Sequence, residues 1–312
     1  MVPRHVMRCL AGCVAAIGVL LLAPAIRADD LFPDALVRFT DDPKQPVFTG
    51  AGPGHWDARI RERGWILREG NEYRMWYTGL EHDGSPLLKL GYARSPDGIH
   101  WTRYERNPIY SEHWVEDMMV VRHNGTYYMF AEGKDDQAQL LTSTDGIIWQ
   151  RAGQLDVRQA NGTPIEPGPY GTPTAWWEDD VWHLFYERRD LGIWLATSKD
   201  LRTWTNVRDE PVIPLGPDAY DSEQVALNQI IKHGGRYYAY YHGAGAPQPD
   251  TKKRLWCTCV AASTDRIHWQ KYARNPLFPL TENKSSGILV HDGQRFVLYT
   301  MHDEVRRHVP VP

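Results

Sequence analysis

Acids and imidazoles in this 312-residue chain gather at the edges of short aromatic runs. Asp57, Asp117, Asp221 and Glu223 stand in segments that open such runs, whereas Glu132, Glu187, His242 and His302 fall where the runs close. One group that accepts a proton and another that donates one, drawn from separate segments, are the ingredients of general acid–base catalysis. A histidine serves as donor near neutral pH. Competing chemistries lack their motifs: there is no Gly-rich phosphate loop before a helix, no Gly-x-Ser-x-Gly elbow and no His-Glu-x-x-His metal pair. A net charge of -4 leaves no basic footprint and argues against a nucleic-acid partner.

The elements that must position these groups are marked by one repeated phrase. Ser95-Pro96-Asp97-Gly98-Ile99-His100-Trp101, Ser143-Thr144-Asp145-Gly146-Ile147-Ile148-Trp149, Ser198-Lys199-Asp200-Leu201-Arg202-Thr203-Trp204 and Ser263-Thr264-Asp265-Arg266-Ile267-His268-Trp269 all read Ser-x-Asp-x-x-x-Trp. Each lies between two short apolar runs, so its Asp falls where a hairpin turns and its Trp packs the turn onto the sheet. Copies roughly 48 to 65 residues apart have the period of propeller blades.

Five inner hairpins precede or follow these outer ones. Their second strands are Met75-Trp76-Tyr77-Thr78-Gly79, Tyr127-Tyr128-Met129-Phe130-Ala131-Glu132-Gly133, Trp182-His183-Leu184-Phe185-Tyr186-Glu187, Tyr237-Tyr238-Ala239-Tyr240-Tyr241-His242-Gly243 and Phe296-Val297-Leu298-Tyr299-Thr300. The expected fold is all-β, a five-bladed β-propeller over residues 29–312. Only four outer hairpins exist, and Arg38-Phe39 to Gln45-Pro46-Val47-Phe48 has the shape of an outer strand. The N-terminal strand is therefore expected to close the last blade, beside a third strand from residues 306–311, leaving no open edge.

Residues 1–28 read as a signal peptide: Arg4 and Arg8 precede an apolar stretch, and Ile26-Arg27-Ala28 ends in a small residue suited to cleavage. The expected location is secreted or periplasmic, with no membrane association once the segment is removed. Cys257 and Cys259 then remain; two apart on a strand, they face one way and are expected to pack rather than to bridge.

With these residues in view, the chain resembles the secreted propeller glycosidases related to glycoside hydrolase families 43, 32 and 117. The likeness rests on Trp56-Asp57 followed by Met75-Trp76-Tyr77-Thr78-Gly79 and on the Ser-x-Asp-Gly-x-x-Trp turns. It implies a sugar site in a funnel on the propeller axis, an oligo- or polysaccharide substrate and hydrolysis by two carboxyl groups, with inversion. It implies no required cofactor, although some relatives carry an axial cation. It also carries a base onto Asp57 and a helper acid onto Asp117. The expected general acid is missing at Gly171-Thr172-Pro173, where Glu187 or Glu223 substitutes, or else His242 or His302.

Around these catalytic candidates, Arg63, Glu132, Thr172, Asp221, His242 and His302 are expected to bind substrate, with Trp114 and Tyr170 stacking on sugar rings. Each has a plainer reading. Asp57 and Asp221 align as repeated turn residues, Glu187 and Glu223 suit surface ion pairs, and strand-end histidines are often only hydrogen-bonded. Asp117 has Thr172 and Ser286 as repeat counterparts, so a duty to the fold explains it least. Two other functions stay open: a phosphorylase on the same scaffold, for which Arg59, Arg61 and Arg63 offer cations, and a carbohydrate-binding propeller without activity.

Overall fold

The computed structural model describes residues 31–311, so the expected signal peptide lies outside the described residues. Five antiparallel sheets follow one another along the chain. Blade 1 holds strands Arg59–Glu69, Glu72–Leu80, Lys89–Ser95 and Thr102–Arg103; blade 2 holds Glu116–His123, Thr126–Gly133, Gln137–Ser143 and Gln150–Gln154. Blade 3 is built from Gly171–Glu178, Val181–Glu187, Gly192–Ser198 and Thr203–Asn206, with Asp156–Arg158 added in parallel at its outer edge. Blade 4 comprises Gln224–His233, Arg236–Ala244, Trp256–Ser263 and Gln270–Lys271.

Blade 5 closes the ring as the sequence indicates. Ile288–His291, Phe296–Met301 and Glu304–Pro310 are its inner strands, and Phe39–Asp41 and Phe48–Thr49 pair with the last of them through Phe39 opposite Pro310 and Phe48 opposite Val305. The first and last described strands thus share one sheet, which leaves the blade-to-blade contacts unbroken.

The repeated phrase is a turn device. Ser95 Oγ accepts from Gly98 N at 2.9 Å, while Asp97 Oδ1 accepts from Ile99 N and His100 N at 2.8 Å. The same bonds recur at Ser143/Asp145, Ser198/Asp200 and Ser263/Asp265. Two of these turns also lock neighbouring blades: Trp76 Nε1 donates to Gly146 O at 2.7 Å, and Tyr299 Oη donates to Gly98 O at 3.1 Å. Gly98 and Gly146 both have positive φ, and a Cβ at Gly98 would run into the Tyr299 hydroxyl. Cys257 and Cys259 are buried and free, their sulfurs 3.6 Å apart on one face.

Candidate active site

The innermost strands share a deformation where they enter the ring. Register shifts between Arg61 and Trp65, Glu116 and Met119, Gly171 and Thr174, and Leu227 and Gln229 mark bulges in four blades. Glu62, Asp117 and Thr172 occupy left-handed backbone in the bulges of blades 1 to 3, and Ser286 does so just before the first strand of blade 5, with φ of 55°, 44°, 44° and 54°. Such a conformation costs a non-glycine residue about 1–3 kcal/mol and recurs where a side chain must be re-aimed. All four side chains line one cavity of about 180 Å³.

Acids crowd this funnel. Glu62, Glu116, Asp117, Glu132, Asp136, Glu187 and Asp190 line it, with Arg61, Arg189, His242 and His302 as the basic groups. Burial alone would raise the Glu62 pKa, but His302, Arg61 and the 2.8 Å bond from Arg61 Nε hold it below the ordinary carboxylate range. Asp117 goes the other way. Burial, and then the charge of Glu62, push it well above that range against the pull of Arg63.

Glu132 is likewise pushed well up by burial and by Asp117, and its Oε2 accepts from Thr172 N at 2.9 Å. Glu116 and Glu187 are each raised to about 7, first by burial; Arg61 opposes the shift at Glu116, while Asp190 adds to it at Glu187. Burial lowers His242 to about 3, so its ring is neutral and accepts the Asn228 amide at Nδ1, 3.1 Å away. The arrangement sets a carboxyl group of lowered proton affinity and one of raised proton affinity in the same cavity, the direction of split that separates base from acid in carboxylate catalysis.

Asp117, Glu132, Thr172, Glu187, His242 and His302 therefore meet in the funnel, as their strand positions indicate. Others expected there stand elsewhere. Asp57 is buried behind blade 1, where Oδ2 accepts from Tyr77 Oη at 2.9 Å and Arg103 Nε at 2.7 Å. Asp221 repeats this in blade 4 with Tyr241 Oη at 3.1 Å and Lys271 Nζ at 2.6 Å. Both are ties between an inner and an outer strand, the plainer reading the alignment offered.

Glu223 pairs with Arg254 at 2.5 Å outside the funnel, its side chain 42% exposed. Tyr170 is buried, with Oη donating to Leu155 O at 2.8 Å, and so is held as core. Trp114 lines a separate cavity, although its indole Nε1 donates to the Glu116 carboxyl.

Arg63 lies beneath the funnel, fully buried rather than open to substrate. Its Nη1 donates to Thr174 Oγ1 at 2.7 Å, Leu227 O at 2.9 Å and Asn228 O at 3.0 Å, and its Nη2 to Pro173 O at 2.9 Å and to Asp117 O. Burial lowers its pKa to about 10. The guanidinium ties together blades 2, 3 and 4 at the place where their inner carbonyls converge. Among the described residues, no group of three or more His, Cys, Asp or Glu is arranged to hold a metal ion.

Sequence reasoning missed Glu62, Glu116, Asp136 and Asp190. A signal for Glu62 existed: counting back from Trp76 over the length that separates Asp117 from Phe130 arrives beside Glu62, not Asp57. Asp136 and Asp190 come from loops after the second strands, whose course no periodicity encodes.

The chain matches no protein-family profile. It is 27% identical over 173 residues to a 1,2-beta-oligomannan phosphorylase of a Thermoanaerobacter species, an overlap of 52% of this chain and 55% of the relative. The chain thus spans about half the length of that phosphorylase. An uncharacterised protein of Mycobacterium tuberculosis is 24% identical over 228 residues, covering 67% of this chain and 75% of its own. Among solved structures, a glycosyl hydrolase from Bacteroides ovatus superposes with a TM-score of 0.68 at 16% identity, over 89% of this chain and 95% of that one. A further structure concerns the GH130 family of mannoside phosphorylases, which contains glycoside hydrolases that target beta-1,2 mannosidic linkages in Candida mannan. It superposes with a TM-score of 0.65 at 14% identity, over 87% and 93% of the two chains. The likeness to propeller glycosidases read from the blade phrases is thereby borne out at the level of the fold.

Proposed function

We propose that the protein is an inverting glycoside hydrolase in which Glu62 activates water and Asp117 protonates the leaving oxygen. The observation that carries this reading is the pair itself: two carboxyl groups on successive inner-strand bulges that line one cavity, Glu62 with its proton affinity lowered by His302 and Arg61 and Asp117 with its own raised by burial. Glu132, Glu187 and the neutral His242 supply hydrogen bonds to sugar hydroxyls. The 2-linked mannosides named for two of the relatives give the first substrate to try, 1,2-β-mannobiose.

Hydrolysis is favoured over phosphorolysis by charge. A phosphate dianion entering the funnel would meet the Glu62 carboxylate and find Arg61 already engaged, by Glu62 at 2.8 Å and Glu116 at 3.4 Å. Phosphorolysis stays as the second reading because the overlapping relative is a phosphorylase. Incubating the protein with 1,2-β-mannobiose, with and without phosphate, and following the products by proton NMR separates the two. Free mannose released as the α-anomer without phosphate is expected; a mannose 1-phosphate formed only with phosphate would overturn the hydrolytic assignment.

The charged start, apolar stretch and small residue at Ala28 further support export with cleavage there. Intact mass of the exported protein tests it, and retention of Met1 would count against it.

A further inference from the structure

A second cavity, of about 310 Å³, opens beside the funnel on the same end of the ring. Its walls come from the loop after the second strand of blade 1 (Leu87), the connection to blade 2 (Trp114), the loop after the second strand of blade 2 (Lys134), and the outer strands of blade 2 (Gln139 and Arg151). Chain neighbours divide between the two cavities: Glu132 faces the funnel and Gly133 the side pocket, Asp136 the funnel and Gln137 the side pocket. Glu116 and Trp114 do the same, joined by the indole's bond to the carboxyl. The two spaces share one thin wall.

The chemistry of the side pocket suits a sugar. Trp114 offers an apolar ring pinned at Nε1 by Glu116 and at its carbonyl by Gln139 Nε2, 2.7 Å away. Arg151 Nε is bound to Gln139 Oε1 at 2.7 Å, which fixes the guanidinium while its Nη groups have no acceptor among the described residues. Lys134 has no carboxylate partner among the described residues, so it too is a donor in waiting. The funnel alone is smaller than the roughly 300–1,000 Å³ typical of ligand pockets, whereas the two cavities together fall within that range.

We propose that the side pocket is a distal subsite: it holds a further sugar unit while the unit to be released sits in the funnel, so the substrate is an oligosaccharide lying across blade 2. This rests on the glycoside-cleaving reading above. The full-length protein is to be compared on 4-nitrophenyl β-mannoside, 1,2-β-mannobiose and 1,2-β-mannotetraose. In the parent, kcat/KM is expected to rise about tenfold from the biose to the tetraose. The double change Lys134→Ala/Arg151→Ala, and separately Leu87→Trp, which fills the pocket, should remove that gain through KM and leave the nitrophenyl glycoside within about twofold.

Equal efficiency of the parent on biose and tetraose, or equal losses on all three substrates in the variants, overturns the subsite. Should the parent turn over none of them, the hydrolytic reading fails by itself and titration of mannotetraose into the Asp117→Asn protein carries the test. Binding weakened about tenfold by the double change supports the subsite, and absent or unchanged binding overturns it.

Discussion

Asp57 and Asp117 are both buried aspartates near the start of an inner strand, one in blade 1 and one in blade 2, yet their surroundings differ in kind. Asp57 has a hydroxyl and a guanidinium directed at one oxygen, and Asp221 reproduces the arrangement three blades on with a hydroxyl and an ammonium. Asp117 receives a single backbone N–H, from Arg63 at 3.2 Å, and shares its cavity with six other carboxyl groups. Asp57 is supplied with side-chain partners, whereas Asp117 is left with one backbone N–H in a cavity of acids, and burial with the Glu62 charge raises its proton affinity. Burial alone does not distinguish the two.

The largest expected effect follows from removing either half of the funnel pair. Asp117→Asn and Glu62→Gln keep size and abolish the titrating group, so each should lower kcat by on the order of a hundredfold or more. Melting temperatures should change little, and in Asp117→Asn should tend upward, because a crowded acid is relieved. Wild-type turnover in either variant would take that residue out of the mechanism.

The structural aspartates should behave in the opposite sense. Asp57→Ala leaves a buried Tyr77 hydroxyl and the Arg103 guanidinium without their acceptor, at a cost of about 2–3 kcal/mol given that Arg103 is partly exposed. Denaturant unfolding should show that loss while kcat of the folded protein stays within about twofold. A variant with unchanged stability and lost activity would return Asp57 to the catalytic set and erase the contrast.

Much of the fold was legible because its signals are local. The Ser-x-Asp turn works through bonds within five residues, so four copies declare four outer hairpins, and the leftover strand at Phe39 could only complete the fifth blade. The site was legible in part. Glu132, Glu187 and His242 end their strands at equivalent positions, and strand position predicts a shared level. Glu62 escaped notice because its bulge spans more residues than the one at Asp117, whereas the structural role of Asp57 was signalled by the repeat, since Asp57 and Tyr77 stand at the same spacing as Asp221 and Tyr241.

The pH response should sharpen the comparison further. Glu116 and Glu187, raised to about 7 mainly by burial, stabilise the fold as neutral acids; that contribution is complete below the ordinary carboxylate range and disappears as pH rises through about 7. Thermal stability should therefore decline between about pH 5 and 8, and Glu187→Gln should flatten the decline. Activity should persist towards acidic pH, since the Glu62 pKa is lowered, and fall as pH rises and Asp117 loses its proton. Stability that climbs over the same interval would contradict the neutral state of these acids.

The smallest effect is expected at Glu223, which sequence alone ranked beside Glu187. The two glutamates differ in what surrounds them: Glu187 is buried against Asp190 N, whereas Glu223 is an exposed partner of Arg254, itself 32% exposed. Solvent screens such a pair, and exposed ion pairs contribute about 0–1 kcal/mol. Glu223→Gln should then shift the melting temperature by no more than about 2 °C and leave kcat/KM within about twofold, at low and at high salt alike. If instead the change removes turnover as Asp117→Asn does, the funnel must reach past Gln224 to this rim, and a place in the funnel lining would no longer mark where the chemistry lies.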